Sequence, residues 1–287
     1  MKSHDFGQHL YNSRRLSEVQ SARMIEAAKS AEPTLAVEAL FLQLVSAEEL
    51  TELFRATYGK RLDSIGETIR SLDDRVRALI TPRQALRAEE LKDGQSIRLA
   101  QALINMGLAN FLKLERLLNE YHDLQVPPLE RMLTIYYERL RERLAVDFPF
   151  AIDLMRDLHM FLSDVLNATV IILPPTEFDY RGKIGASVAL IGDVSAVTGI
   201  FADERTFMRL AMRYEEYVET LEDGFDAMSE LLNVFVGHFA VKAATQRGID
   251  VEPEPPRFGE LSGDAGGFLM LSDVGRFFIY VNREELF

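Results

Sequence analysis

Cysteine and tryptophan are both absent from the 287 residues. Without cysteine there is no disulfide, no thiolate metal site, no iron–sulfur cluster and no thiol nucleophile. The missing tryptophan carries no functional meaning. Positive charge is in deficit: 32 Lys and Arg face 45 Asp and Glu, for a net charge of −13. Such a chain has no cationic surplus with which to neutralise phosphates. This argues against a general binder of nucleic acid or anionic membranes, and leaves room for a local basic pocket. Long apolar runs are missing too. Val170–Leu173 is far short of the ~18 residues that span a bilayer. The polar start, Met1-Lys2-Ser3-His4-Asp5-Phe6, has no export-type apolar stretch. The expectation is a cytoplasmic protein with no membrane insertion and no nucleic-acid partner.

Several chemistries fail on spacing. The histidines at 4, 9, 122, 159 and 238 form no metal-binding pattern. His159, on an apolar helix face, reads as a satisfied core residue. Gly182-Lys183-Ile184 lacks the glycine spacing and hydroxyl of a phosphate loop. In Gly259-Glu260-Leu261-Ser262-Gly263 the serine is one place late for a nucleophile elbow. Gly263-Asp264-Ala265-Gly266-Gly267 reads as a plain loop.

What is present suggests two domains, at about 150 residues each. Composition shifts near residue 147: five of the 17 glycines precede it, and six of the valines against twelve after. Glycine punctuates turns and valine suits pleated, half-buried surfaces. Residues 1–146 therefore read as all-helical, and residues 147–287 as α+β. The first part contains a duplication. Leu16–Phe54 lies on Ile80–Leu118 at an offset of 64 without a gap, with identities such as Gln20/Gln84, Arg23/Arg87, Leu35/Leu99 and Leu50/Leu114. Each copy opens with an N-cap signal, Ser17 or Thr81, and reads as three short helices. A connecting helix follows over Leu129–Leu144, either a link or the last helical element. Phe150–Leu166 is strongly amphipathic.

The second part alternates strands and helices. Thr169–Leu173, Lys183–Ile191 and Val194–Phe201 read as strands, the last two around a Gly192-Asp193 turn. Asp203–Tyr217 and Leu221–Thr245 read as helices. Ile249–Val251, Gly267–Ser272 and Arg276–Asn282 complete the strands. This pattern implies helices packed on a largely antiparallel sheet.

The long helix carries the candidate chemistry. Asp226, Glu230 and Asn233 fall at i, i+4 and i+7 and share one face. Leu231, Leu232, Val234, Phe235, Phe239 and Val241 are expected to anchor the helix on the sheet. Gly237 sits inside the helix at a cost of about 1 kcal/mol relative to alanine, the usual mark of close backbone approach. From helix position alone, three such polar residues are an ordinary solvated face.

The spacing of Asp226, Glu230, Asn233 and, after twenty-two intervening residues, Pro256 resembles the signature of the CheC/CheX/FliY chemotaxis phosphatases. Glu230-Leu231-Leu232-Asn233-Val234-Phe235-Val236-Gly237 is similar to the family's Glu-x-x-Asn-x-x-x-Gly helix, with His238 where the family commonly has Asn. One signature is present, as in CheX. The resemblance covers about Phe148–Phe287 and implies a CheX/CheC-like α+β fold. It also implies binding to a phosphorylated response-regulator receiver domain and hydrolysis of its phosphoaspartate. By this resemblance Asn233 orients the attacking water and Glu230 pairs with the receiver's lysine. Asp226, Gly237 and Pro256 support the motif. No cofactor is needed beyond the Mg²⁺ on the receiver. The family also pairs sheet edges. The apolar terminal strand Phe277–Val281, taken as an edge, would suit a homodimer.

The helical part has a resemblance of its own. Arg98-Leu99-Ala100-Gln101-Ala102-Leu103-Ile104-Asn105-Met106-Gly107-Leu108 is similar to the N-terminal domain of type II secretion and pilus ATPases. Some members bind cyclic di-GMP through the Arg, the Gly backbone and a Gln. Here Ala100 replaces a glycine and Tyr121 takes the Gln position. A second expectation is therefore a non-catalytic interaction adaptor, or a cyclic di-GMP-responsive protein, acting through the helical repeats.

Overall fold

Capping boxes open both copies of the duplication. Ser17 and Gln20 exchange side-chain-to-backbone hydrogen bonds at one helix start, and Thr81 and Gln84 do the same 64 residues on. The computed structural model describes residues 6–58, 73–91, 94–144, 148–167, 169–173, 182–260 and 267–282. The loop residues Gly263 to Gly266 lie outside them. The chain divides into two units, Met1–Pro128 and Leu129–Phe287.

Among its described residues the first unit is wholly helical. Its helices are α1 (Phe6–Asn12), α2 (Glu18–Lys29), α3 (Leu35–Phe41), α4 (Ala47–Tyr58), α5 (Asp73–Leu79), α6 (Pro82–Leu91), α7 (Gln95–Asn105) and α8 (Phe111–His122). The two copies are α2–α4 and α6–α8, and they pack on one another, α2 on α7 and α4 on α8. Leu40, Leu50, Leu103, Leu114 and Leu118 are buried between them. The copies also exchange polar bonds. The buried Gln101 Oε1 accepts from both the backbone N–H and the hydroxyl of Thr34, the N-cap of α3. Gln101→Leu would leave these buried donors without their acceptor. We expect a loss of about 1–3 kcal/mol in denaturant unfolding.

The second unit holds α9 (Pro128–Leu144), α10 (Phe148–Val165), α11 (Glu204–Tyr214), α12 (Leu221–Arg247) and the strands β1 (Ile171–Ile172), β2 (Ile184–Gly192), β3 (Ala196–Ala202), β4 (Val251–Pro253), β5 (Arg257–Glu260), β6 (Gly267–Leu271) and β7 (Arg276–Asn282). Helix α9 belongs here from Leu129 onward. Its Leu129, Leu133 and Tyr136 are buried in the same core as α10, α12 and the sheet. The division of the chain thus falls at the start of this helix, not near residue 147.

All strand pairs are antiparallel, in the order β1-β6-β7-β3-β2-β4, with β5 also on β2. The terminal strand β7 is therefore central, hydrogen-bonded to β3 on one side and β6 on the other. Reading Phe277–Val281 as an edge was wrong, and with it goes the premise for pairing copies there. Its unbroken apolar run fits a strand covered on both faces. One face carries the main core with the helices, and the other a small cluster of Val197, Phe201, Phe278 and Tyr280. Two glycines make room for these rings: a Cβ on Gly185 would run into the Phe201 ring, and one on Gly267 into that of Phe278.

His159 is buried, with Nε2 2.9 Å from the Val170 carbonyl, in a structural role. Ion pairs tie the helices together at one end of α12. Lys242 donates to Asp157 at 2.6 Å, Arg247 pairs with Asp153, and Arg156 bridges Asp153 and Glu130. These half-exposed pairs stabilise by at most about 1 kcal/mol each. Among the described residues no helix is long and apolar enough to cross a membrane.

Candidate functional site

Helix α12 starts at a capping box in which Thr220 and Asp223 bond each other's backbone N–H. Those bonds, with one from the Glu219 backbone, hold the Asp223 carboxyl below the usual carboxylate range. It ends at Gly248, left-handed at φ 64°. Twenty-seven residues at 1.5 Å rise make a rod of about 40 Å. Ala227, Met228, Leu231, Leu232, Phe235, Val236 and Phe239 face the core. Phe235 packs on Phe161, ring centroids 5.5 Å apart, and Phe239 on Phe150 at 5.3 Å. The helix is thus held rigidly from one side.

The opposite face carries Asp226, Glu230 and Asn233, all exposed. None of the three side chains makes a hydrogen bond or ion pair among the described residues. Glu230 acts electrostatically on Tyr214, at the end of α11. Burial first, then Glu230 and Glu215, push the Tyr214 phenol above its ordinary pKa. The flanking sequence is acidic: Glu215, Glu216, Glu219 and Glu222 are exposed, and no Lys or Arg occurs between Arg213 and Lys242.

Gly237 departs from the sequence expectation. A Cβ there would meet nothing within 4 Å, so no described residue requires a glycine at that place. Its bare backbone faces outward, one to two turns beyond Asn233 and Glu230. Val241 was expected in the core and is instead 65% exposed, because it falls two residues after the buried Phe239, about 200° round the helix. Pro256 is not on the helix face; it lies half-buried between β4 and β5. Two residues on, Phe258 reaches back and stacks on Phe225 of α12 at 4.8 Å. Sequence reading missed this contact, because β5 has no apolar run to announce it. Among the described residues no group of three or more His, Asp or Glu is placed to hold a metal ion.

Chemically, the face offers an exposed carboxylate and an exposed amide one turn apart on a fixed rod, with a gap in the side-chain layer beside them. An amide both accepts and donates, so it can hold a water while bonding a second group.

No family profile and no curated protein matches the chain. Among solved structures, the chemotaxis protein CheX of Desulfovibrio desulfuricans is similar, at 14% identity and a TM-score of 0.39 over 47% of this chain and 99% of that one. A CheX–CheY–BeF3–Mg²⁺ complex from Borrelia burgdorferi gives 18% identity and 0.36, over 46% and 96%. FliY of Thermotoga maritima gives 17% and 0.35, over 57% and 93%.

Proposed function

We propose that the second unit binds the phosphorylated receiver domain of a response regulator and hydrolyses its phosphoaspartate. The observation that carries this reading is the full signature Asp226, Glu230, Asn233 and Pro256, with Glu230 and Asn233 on one exposed face of a rigidly held helix and without a side-chain partner among the described residues. By the resemblance, the receiver brings the phosphoryl group and its Mg²⁺. Asn233 holds a water in line with phosphorus through its carbonyl, and Glu230 takes the receiver's lysine. No covalent intermediate forms on this chain. Catalysis is placement of the water, which alone removes several kcal/mol of barrier. The direct test is the decay of a phosphorylated receiver with and without this protein.

Gly237 supports the same reading. It weakens a helix interior, fills no tight space among the described residues, and lies beside the reactive pair. Close approach of a partner's backbone explains it. Gly237→Ala is therefore expected to stabilise the fold by about 0.5–1 kcal/mol in thermal unfolding while raising KM for the phospho-receiver. A gain in stability with unchanged KM would separate the glycine from docking.

The adaptor reading has weaker support. Tyr121, at the position of the nucleotide-binding Gln in the secretion-ATPase pattern, is buried against Phe6 and His9, with ring centroids at 5.4 and 5.7 Å. The N–H groups of Gly107 and Leu108 are bonded to the Ile104 and Leu103 carbonyls. Neither feature is free to take a ligand. Titration with cyclic di-GMP is expected to show no binding at tens of micromolar.

A further inference from the structure

The ion pairs near the C-terminal end of α12 wall a cavity of about 110 Å³ between that helix and α10. The space is ample for several waters or one small organic molecule. Its floor is apolar: Phe150, Phe239 and Ala243 line it, and all three are buried. Its rim is polar, with Gln246 and Arg247 exposed and Lys242 half-buried. Asp153, Arg156 and Asp157 of α10 complete the wall. Lys242 stands nine residues beyond Asn233, about 14 Å along α12, so the cavity is separate from the reactive pair.

The acids in this wall are already engaged. Both oxygens of Asp157 accept from Lys242, and Asp153 takes Arg156 on one oxygen and Arg247 on the other. The donors are not used up, because an ammonium carries three N–H bonds and a guanidinium five. Among the described residues, Lys242 and Arg247 meet only those acids. Arg156 Nε lies 3.3 Å from Glu130, outside the wall, and is buried without a hydrogen bond. The Gln246 amide makes no hydrogen bond among the described residues. With donors to spare and acceptors engaged, the wall suits an acceptor that carries negative charge. Glu130 and the carbonyl end of α12 offset part of the cationic surplus, which favours one negative charge over a phosphate dianion. The apolar floor favours an organic body.

We infer that this cavity binds a small organic monocarboxylate. The apolar body rests on Phe150, Phe239 and Ala243, and the carboxylate accepts from Arg247, Lys242 and Gln246. The inference is independent of the receiver-directed reading. Calorimetric titration of the full chain with butyrate or benzoate, at ionic strength held constant with chloride, tests it. Binding is expected to saturate with a Kd of about 1 mM or below. Butyramide and benzamide keep the body and lose the charge, and inorganic phosphate keeps charge and loses the body. Each is expected to bind at least about tenfold more weakly. Arg247→Gln and Lys242→Gln should each weaken carboxylate binding about tenfold. Thermal unfolding checks that both variants fold. Arg247, in the last turn of α12 with its side chain 43% exposed, keeps the test decisive if Lys242→Gln does not. Saturable carboxylate binding that Arg247→Gln weakens upholds the site. No saturation up to about 10 mM, tighter binding of phosphate or of the amides, or equal affinity in wild type and Arg247→Gln overturns it.

Discussion

Asn233→Ala is expected to lower receiver dephosphorylation about 100-fold or more while leaving the fold intact. The side chain is exposed and makes no hydrogen bond or ion pair among the described residues, so its removal breaks nothing inside the molecule. Alanine is also the better helix former, and unfolding should shift by no more than about 0.5 kcal/mol. The rate effect follows from the proposed role. A water no longer held in line with phosphorus attacks from many unproductive orientations, and loss of positioning alone costs about two orders of magnitude. Asn233→Asp should be as damaging. It keeps an acceptor for the water, loses the donor, and sets a negative charge against the phosphoryl oxygens. Stopped-flow or radiolabel decay assays beside thermal unfolding separate the two effects.

Two residues along the same helix the expectation reverses. Phe235 is 2% exposed and packs between Phe161 and Phe239, with ring centroids at 5.5 and 6.1 Å. Phe235→Ala removes an aromatic ring from the core between α10 and α12. The expected loss is about 3–5 kcal/mol, from lost transfer free energy and the cavity left behind. Denaturant unfolding should show a lower midpoint, and activity should fall with the folded fraction, not through kcat. Rigidity of α12 matters because water placement tolerates little movement. An equally active, equally stable Phe235→Ala protein would mean that the core behind the site is not what fixes it.

Much of this was legible locally. Ser17 and Thr81 announced helix starts and form capping boxes there. Gly192-Asp193 marked the β2–β3 hairpin, and the spacing of 226, 230 and 233 put them on one face. The failures were non-local. A strand's apolar run tells how much of it is buried, not which strands flank it. Hence β7 passed for an edge although it pairs on both sides. The stripe on α9 showed which face is buried, and only packing shows that it joins the second unit. Val241 is apolar, but it falls only two residues after the buried Phe239, about 200° round the helix, so its phase puts it on the outer face. The Phe258–Phe225 stack depends on how β5 lies on β2, a register that no local pattern encodes. The signature itself was readable from the residues. That Asp226, Glu230 and Asn233 are exposed, with no side-chain partner among the described residues, required the structure.

The most direct measurement is the half-life of a receiver's phosphoaspartate, followed across a panel of purified receiver domains in Mg²⁺ buffer. Each is run alone, with catalytic amounts of this protein, and with the Asn233→Ala form. At least one receiver is expected to lose its phosphate faster with wild type, saturably in receiver concentration, and at its own intrinsic rate with the variant. An intrinsic rate for every receiver in the presence of wild type, or equal acceleration by wild type and Asn233→Ala, would contradict the assignment of phosphatase chemistry to this helix.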